Sequence, residues 1–208
     1  MTRSSRLLNT ALVVSALALA AAAAGAGYLA WRMLNPPAYS DAGSAAFADL
    51  GADFSLSNQH GGVTRLSDLR GDVVMMFFGY THCPDICPAT LFTMAQARKL
   101  LGADGARFQG VFITVDPERD TPERLREYVG FFDPDFLALT GSEQALAQVA
   151  RDFGAAFEKG EKTADGGYLM GHTTFGYLIG PDGKVARLLP STASPEEIAK
   201  AARDALAG

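Results

Sequence analysis

Val73-Val74-Met75-Met76-Phe77-Phe78-Gly79-Tyr80-Thr81-His82-Cys83-Pro84-Asp85-Ile86-Cys87-Pro88 holds both cysteines of a 208-residue chain. Its first six residues form an unbroken apolar run, the pattern of a strand buried on both faces. Its last residue is a proline, preorganised for the first turn of a helix, and Leu91, Met94, Ala95 and Arg98 mark helical turns from there to about Leu101. The stretch reads as strand, turn, helix, with all the thiol chemistry at the turn. A chain this long with no other cysteine is not a disulfide-stapled scaffold. The pair is a local bridge, a redox couple or two thirds of a metal site.

On either side, short apolar runs alternate with amphipathic segments. Phe54 to Leu56 and Val63 to Leu66 flank Asn58-Gln59-His60-Gly61-Gly62 and predict a hairpin. Further on, Arg107 to Val115 predicts a strand, Pro122 to Val129 a helix, Phe136 to Thr140 a short strand and Glu143 to Phe153 another helix. Tyr177 to Ile179 and Val185 to Leu189, joined by Gly180-Pro181-Asp182-Gly183, predict a second hairpin, and Pro195 to Leu206 a closing helix. This order predicts an α/β fold, a thioredoxin-like domain with an N-terminal hairpin extension.

The N-terminus has a different composition. Arg3 and Arg6 precede 25 residues, Leu7 to Trp31, that carry no charge, and Arg32 closes them. As a helix they would run about 37 Å at about 1.5 Å per residue, against a hydrocarbon core of roughly 30 Å. The competing reading is a cleaved secretory signal, for which Ala22-Ala23-Ala24 before Gly25 offers small residues. Length, Tyr28 and Trp31 favour one retained transmembrane helix. The leading arginines keep the N-terminus in the cytoplasm. The rest then lies outside, which predicts a single-pass protein of the inner (cytoplasmic) membrane with its soluble domain in the periplasm or otherwise outside the cytoplasm. The expected division is 1–34 tip and anchor, 35–47 a linker rich in Pro, Ser, Ala and Gly, and 48–208 one folded domain. From Asn35 onward there are 15 lysines and arginines (the chain's 18 less Arg3, Arg6 and Arg32) against all 23 aspartates and glutamates, a net charge of −8. That argues against nucleic acid or an anionic membrane surface as a partner of this domain.

Residues four apart on a helix or helix-like turn share a face, so Cys83 and Cys87 can aim both sulfurs at one point. Their α-carbons would lie roughly 6 Å apart, which also admits a disulfide. The helix start beside them predicts a preference for thiolate. Outside the cytoplasm such a pair tends to oxidise unless a metal or a reductant holds it. Two thiolates suit Cu(I), whereas structural zinc normally takes four protein donors, and the chain offers two cysteines and three histidines. His60 sits in a Gly-rich turn, His82 is next to Cys83 and is expected to point away from the sulfurs, and His172 lies before the Tyr177 strand.

Three motifs in register resemble the Sco (SenC) family of membrane-anchored copper proteins: Phe78 to Pro88, Thr114-Val115-Asp116-Pro117-Glu118-Arg119-Asp120-Thr121-Pro122, and His172 ahead of Tyr177 to Gly183. The resemblance covers roughly residues 50 to 207. It implies a thioredoxin-like fold and a copper ion held by Cys83, Cys87 and His172. It also implies delivery of that copper to the dinuclear CuA centre of cytochrome c oxidase, or reduction of the CuA cysteines so that the centre can be loaded. The implied partners are the CuA-bearing subunit and, beside it, other copper chaperones or a thiol reductant. One position departs: many members carry an acidic residue immediately before the histidine, and this chain has Gly171. Asp85 and Asp116 are the nearby acids that sequence offers in its place.

Two expectations concern neighbouring residues. Asp120 or Thr121 before Pro122 is a good helix cap, and Glu118 and Arg119 could form a partner-facing surface. Phe77, Phe78, Phe131 and Phe132 read as core aromatics, with Tyr80 edging the site. The leading expectation is a copper metallochaperone. The runner-up is a thiol–disulfide oxidoreductase in which Cys83 attacks and Cys87 resolves. Against it, thioredoxin-like reductases normally have two residues between the cysteines and a facing cis-proline, while Met170 to Thr174 contains none. A peroxidase reading is weaker still, because Thr81-His82-Cys83 lacks the usual Thr-Pro-x-x-Cys pattern.

Overall fold

The strand β3 (Val73–Gly79) is buried at all seven positions, and its place in the sheet explains why its sequence carries no polar alternation. It pairs in parallel with β4 (Phe108–Thr114) on one side and antiparallel with β8 (Gly176–Ile179) on the other, in the interior of a seven-stranded sheet. The computed structural model describes residues 23–28, 31, 50–162 and 166–207. The chain divides into two compact units, Met1–Asp41 and Ala42–Gly208. The anchor expected over residues 7–31 lies outside the described residues except for the helical stretch 23–28 and Trp31; among the described residues no helix is long and apolar enough to cross a membrane.

In the second unit the sheet order is β2-β1-β5-β4-β3-β8-β9. β1 (Ser55–Asn58) and β2 (Val63–Arg65) form the leading hairpin, and β1 joins the sheet antiparallel to β5 (Leu137–Thr140), which runs parallel to β4. β9 (Val185–Leu189) closes the other edge after a turn in which Gly183 adopts φ 81°, the left-handed region open to glycine. Helices α1 (Ile86–Leu100), α2 (Pro122–Phe132), α3 (Glu143–Asp152) and α4 (Pro195–Ala207) supply the remaining layers. Of the two caps the sequence offers for α2 the structure uses Thr121, whose hydroxyl accepts from Arg124 N with Pro122 next in line; at the start of α3 the Ser142 hydroxyl accepts from Ala145 N. This is the thioredoxin-like α/β architecture with a hairpin in front.

Three local features differ from expectation. α1 begins at Ile86 rather than Pro88, which places Cys87 on the helix; the first-turn N–H groups have no partner within a helix, so Pro88 is tolerated there. A second hairpin, β6 (Phe157–Lys162) with β7 (Tyr168–His172), forms a separate two-stranded sheet. His172 therefore ends a strand of its own instead of leading into the Tyr177 strand. Phe77 and Phe78 are core and Phe132 packs against the core, but Phe131 is 85% exposed: it falls on the outer side of α2, where Leu125 and Val129 take the buried stripe.

Candidate metal centre

Gly79 ends β3 under the cysteine turn. A Cβ there would lie 2.6 Å from Phe112 Cε2 and 2.9 Å from Cys87 Sγ, so only glycine lets the strand end beneath the sulfur. The turn that follows is fastened to the end of β4. Asp120 is 1% exposed and accepts from Thr81 N (3.0 Å), Thr81 Oγ1 (2.7 Å) and Thr114 Oγ1 (2.6 Å). A carboxylate with three donors fixes the backbone entering Cys83. Cys83 N donates to Tyr80 O, and Cys83 Sγ accepts from Cys87 N at 3.5 Å, so the first sulfur sits over the helix start.

The second hairpin brings the third donor. His172 Nε2 lies 3.6 Å from Cys87 Sγ, and the two sulfurs and this imidazole all fall within 4.8 Å of one another. The Nδ1 atom is 2.9 Å from the Thr173 carbonyl oxygen. A carbonyl only accepts, so Nδ1 carries the proton and Nε2 keeps its lone pair facing the sulfurs. Burial lowers the His172 pKa from its usual value and favours this neutral form. The rings of Tyr80 and Phe77 stand edge-on to the imidazole at 5.8 and 5.9 Å, as expected for Tyr80. A cleft of about 310 Å³ lined by Ala156, Phe157, Glu158, Gly171, His172 and Thr173 opens beside it.

Both thiols are free. Cys87 is fully buried, and burial pushes its thiol pKa up, so for this cysteine desolvation outweighs the helix start that predicted a thiolate. The acids suggested by sequence do not hold the imidazole. Asp85 is exposed at the start of α1, and Asp116 is engaged by Arg119 and Tyr168. The Thr173 carbonyl does that work, which sequence could not reveal, since every residue carries a carbonyl. Gly171 faces Glu158 across the hairpin, whose Cγ would lie 3.3 Å from a Cβ at 171.

The other histidines stay apart. His60 is exposed in the β1–β2 turn, and His82 turns toward Thr81 Oγ1 (3.2 Å) and Asp120 (3.7 Å). His82, Asp116 and Asp120 also lie close together. The two carboxylates there are already committed to Thr81, Thr114, Arg119 and Tyr168.

Two sulfurs and one imidazole nitrogen are a soft, three-donor set. It suits Cu(I) better than structural zinc, which takes four donors. Comparison with known proteins points the same way. A family profile described as SCO1/SenC matches residues 42–207. The bovine (Bos taurus) "Protein SCO2 homolog, mitochondrial" is 40% identical over 153 residues, 73% of this chain; the match spans only 58% of the bovine chain's length. The structure of Bradyrhizobium japonicum ScoI with copper bound superposes with a TM-score of 0.69 at 36% identity, covering 75% of this chain and 99% of that one. BsSco, described as a member of the Sco family of cytochrome c oxidase assembly proteins and as having a disulfide switch, superposes with a TM-score of 0.62 at 27% identity, covering 76% of this chain and 94% of that one. With its profile match over most of its length, this chain belongs to the SCO1/SenC family.

Proposed function

We propose that the protein carries copper on Cys83, Cys87 and His172 and delivers it to the CuA centre of cytochrome c oxidase during assembly. The observation that carries this reading is the imidazole: its Nδ1 proton is held by the Thr173 carbonyl and its Nε2 lone pair is left 3.6 Å from Cys87 Sγ. Copper is the cargo, so the site has to hold it and release it. Two soft sulfurs with a neutral nitrogen serve retention. Partial exposure of Cys83 and His172, with the cleft beside the imidazole, leaves an approach for the ligands of a recipient. Ile86 between the cysteines and Phe175 after the histidine are exposed apolar side chains suited to the contact with a CuA-bearing subunit. The uncharged stretch 7–31 behind Arg3 and Arg6 supports a membrane anchor with the copper domain outside the cytoplasm.

One feature favours the second reading, reduction of the CuA cysteines: the two sulfurs are free and close enough to pair after modest movement. Anaerobic titration of the reduced chain with Cu(I) tests the first. One copper per chain is expected, with weaker binding by His172→Ala and metal transfer to an apo CuA domain. Reduction of an oxidised CuA domain by the metal-free chain, with no transfer from the loaded one, would replace delivery by reduction.

A further inference from the structure

The hairpin that carries His172 has no strand pairing with the main sheet and touches its core only through a few side chains, among them Phe157, Met170 and the His172 ring itself. β6 and β7 pair only with each other, and most of their residues face solvent. A two-stranded hairpin alone is marginal in water, so an imidazole at its end needs an external anchor to keep its place over a buried sulfur. Residues 116–119, which follow β4, provide one. The Arg119 guanidinium donates through Nε to Asp116 and through Nη1 to the Tyr168 carbonyl at 2.9 Å. It lies over the Tyr168 ring, its Cζ 3.5 Å from the centroid, with the Tyr80 ring at 5.8 Å on the way to the imidazole. The Tyr168 hydroxyl is shared between Asp116 (2.8 Å) and Glu118 (3.2 Å), and Lys159 of β6 pairs with Glu118 while standing over the same ring. Asp116 is itself 2% exposed, and its N–H donates to Thr114 Oγ1 at the end of β4. A chain of contacts thus runs from the central sheet through Asp116 and Arg119 to both strands of the hairpin.

We propose that Arg119, gripped by Asp116 and stacked on Tyr168, is the positioning residue that holds His172 over the cysteine pair. Stability alone does not account for this arginine, because its Nη2 is buried without a hydrogen-bond partner among the described residues. A lysine would not reproduce the contacts, since it lacks both the planar face and the fork that reaches a carboxylate and a carbonyl together. The inward turn of Arg119 also corrects the expectation that it forms a partner-facing surface; Glu118 remains on the outside.

The first test needs no metal. In the full reduced chain, proton NMR should show contacts from the His172 ring to Tyr80 and Phe77. Arg119→Ala should lose them while the contact of Phe78 with Tyr177 in the main sheet persists. Retention of the His172 contacts would overturn the proposal. If Arg119→Ala also loses the main-sheet contact, Arg119→Lys decides, since it keeps the charge and most of the bulk and removes the planar face and the fork. Weakened His172 contacts there support the clamp, and unchanged ones overturn it. The second test rests on the copper reading. Arg119→Ala should release Cu(I) to a chelator about 10–100-fold faster, the usual effect of losing a group that orients a ligand. In a His172→Ala background it should change nothing further; additive losses would mean that Arg119 does not act through His172. Should the wild-type chain bind no copper, the chaperone reading falls, and the metal-free contacts still decide the clamp.

Discussion

At the scale of single residues, burial prepares Cys87 and His172 for a metal in opposite ways. The imidazole is held neutral below its ordinary pKa and presents its lone pair without first losing a proton. The Cys87 thiol is held protonated, its pKa raised by burial, so binding as a thiolate must expel that proton. Copper affinity should therefore rise with pH, by about tenfold per unit for each proton displaced, through the range where Cys87 remains a thiol. Competition titrations between pH 7 and 9 would check it; an affinity flat over that interval would mean that the thiolate already exists in the metal-free protein. The linked effect on folding has the opposite origin. Because the folded pKa of His172 is depressed, the unfolded chain holds more protons in the window from that pKa up to about 6.5. The contribution of His172 to stability is present above that window and is lost as pH falls through it. Sequence made the three side chains that the fold brings together legible through residue type, spacing and family motifs. The carbonyl that orients the imidazole and the burial that reverses the thiolate expectation have no signature in it.

Among the elements, β3 and its last residue show how closely the sheet and the site are joined. Gly79 Cα lies where a methyl group would meet Phe112 and Cys87 Sγ together. Gly79→Ala should cost about 1–3 kcal/mol through overpacking, and the displaced sulfur should also weaken copper binding. Gly110→Ala is the control: its Cβ would strike the Phe136 ring at 2.5 Å on the same sheet, away from the donors. Chemical denaturation should find both variants destabilised, with copper affinity lowered only by Gly79→Ala; equal affinity losses would mean that the site merely follows global stability. The central strands were readable because burial on both faces leaves an unbroken apolar run, and the helices because caps and periodicity agree. The β6–β7 hairpin was not. Phe157-Glu158-Lys159-Gly160-Glu161-Lys162 has neither apolar alternation nor β-branched residues, since the strand is almost wholly exposed and held by side-chain contacts from residues 116–119. A strand fixed by a distant loop leaves little trace in its own composition.

For the molecule as a whole, the site joins segments that are far apart in the chain, and this separates two contributions to the stability that copper should confer. A ligand that binds only the folded state stabilises it by RT ln(1 + [L]/Kd), about 4 kcal/mol at a thousandfold excess over Kd. For a domain of this size, that corresponds to a rise in Tm of about 8–16 °C. The two cysteines, four residues apart, stay neighbours in the unfolded chain and can retain copper there, which reduces the gain. His172 is 85 residues from Cys87 and meets it only in the folded protein. The imidazole should therefore account for much of the copper-dependent rise, because its share of the binding free energy has no counterpart after unfolding. Calorimetry of the reduced chain with and without excess Cu(I) should show a clear upward shift for wild type and a smaller one for His172→Ala. If the two shifts were equal, copper would be held by the local cysteine pair alone, and the folded protein would bring no third donor to it.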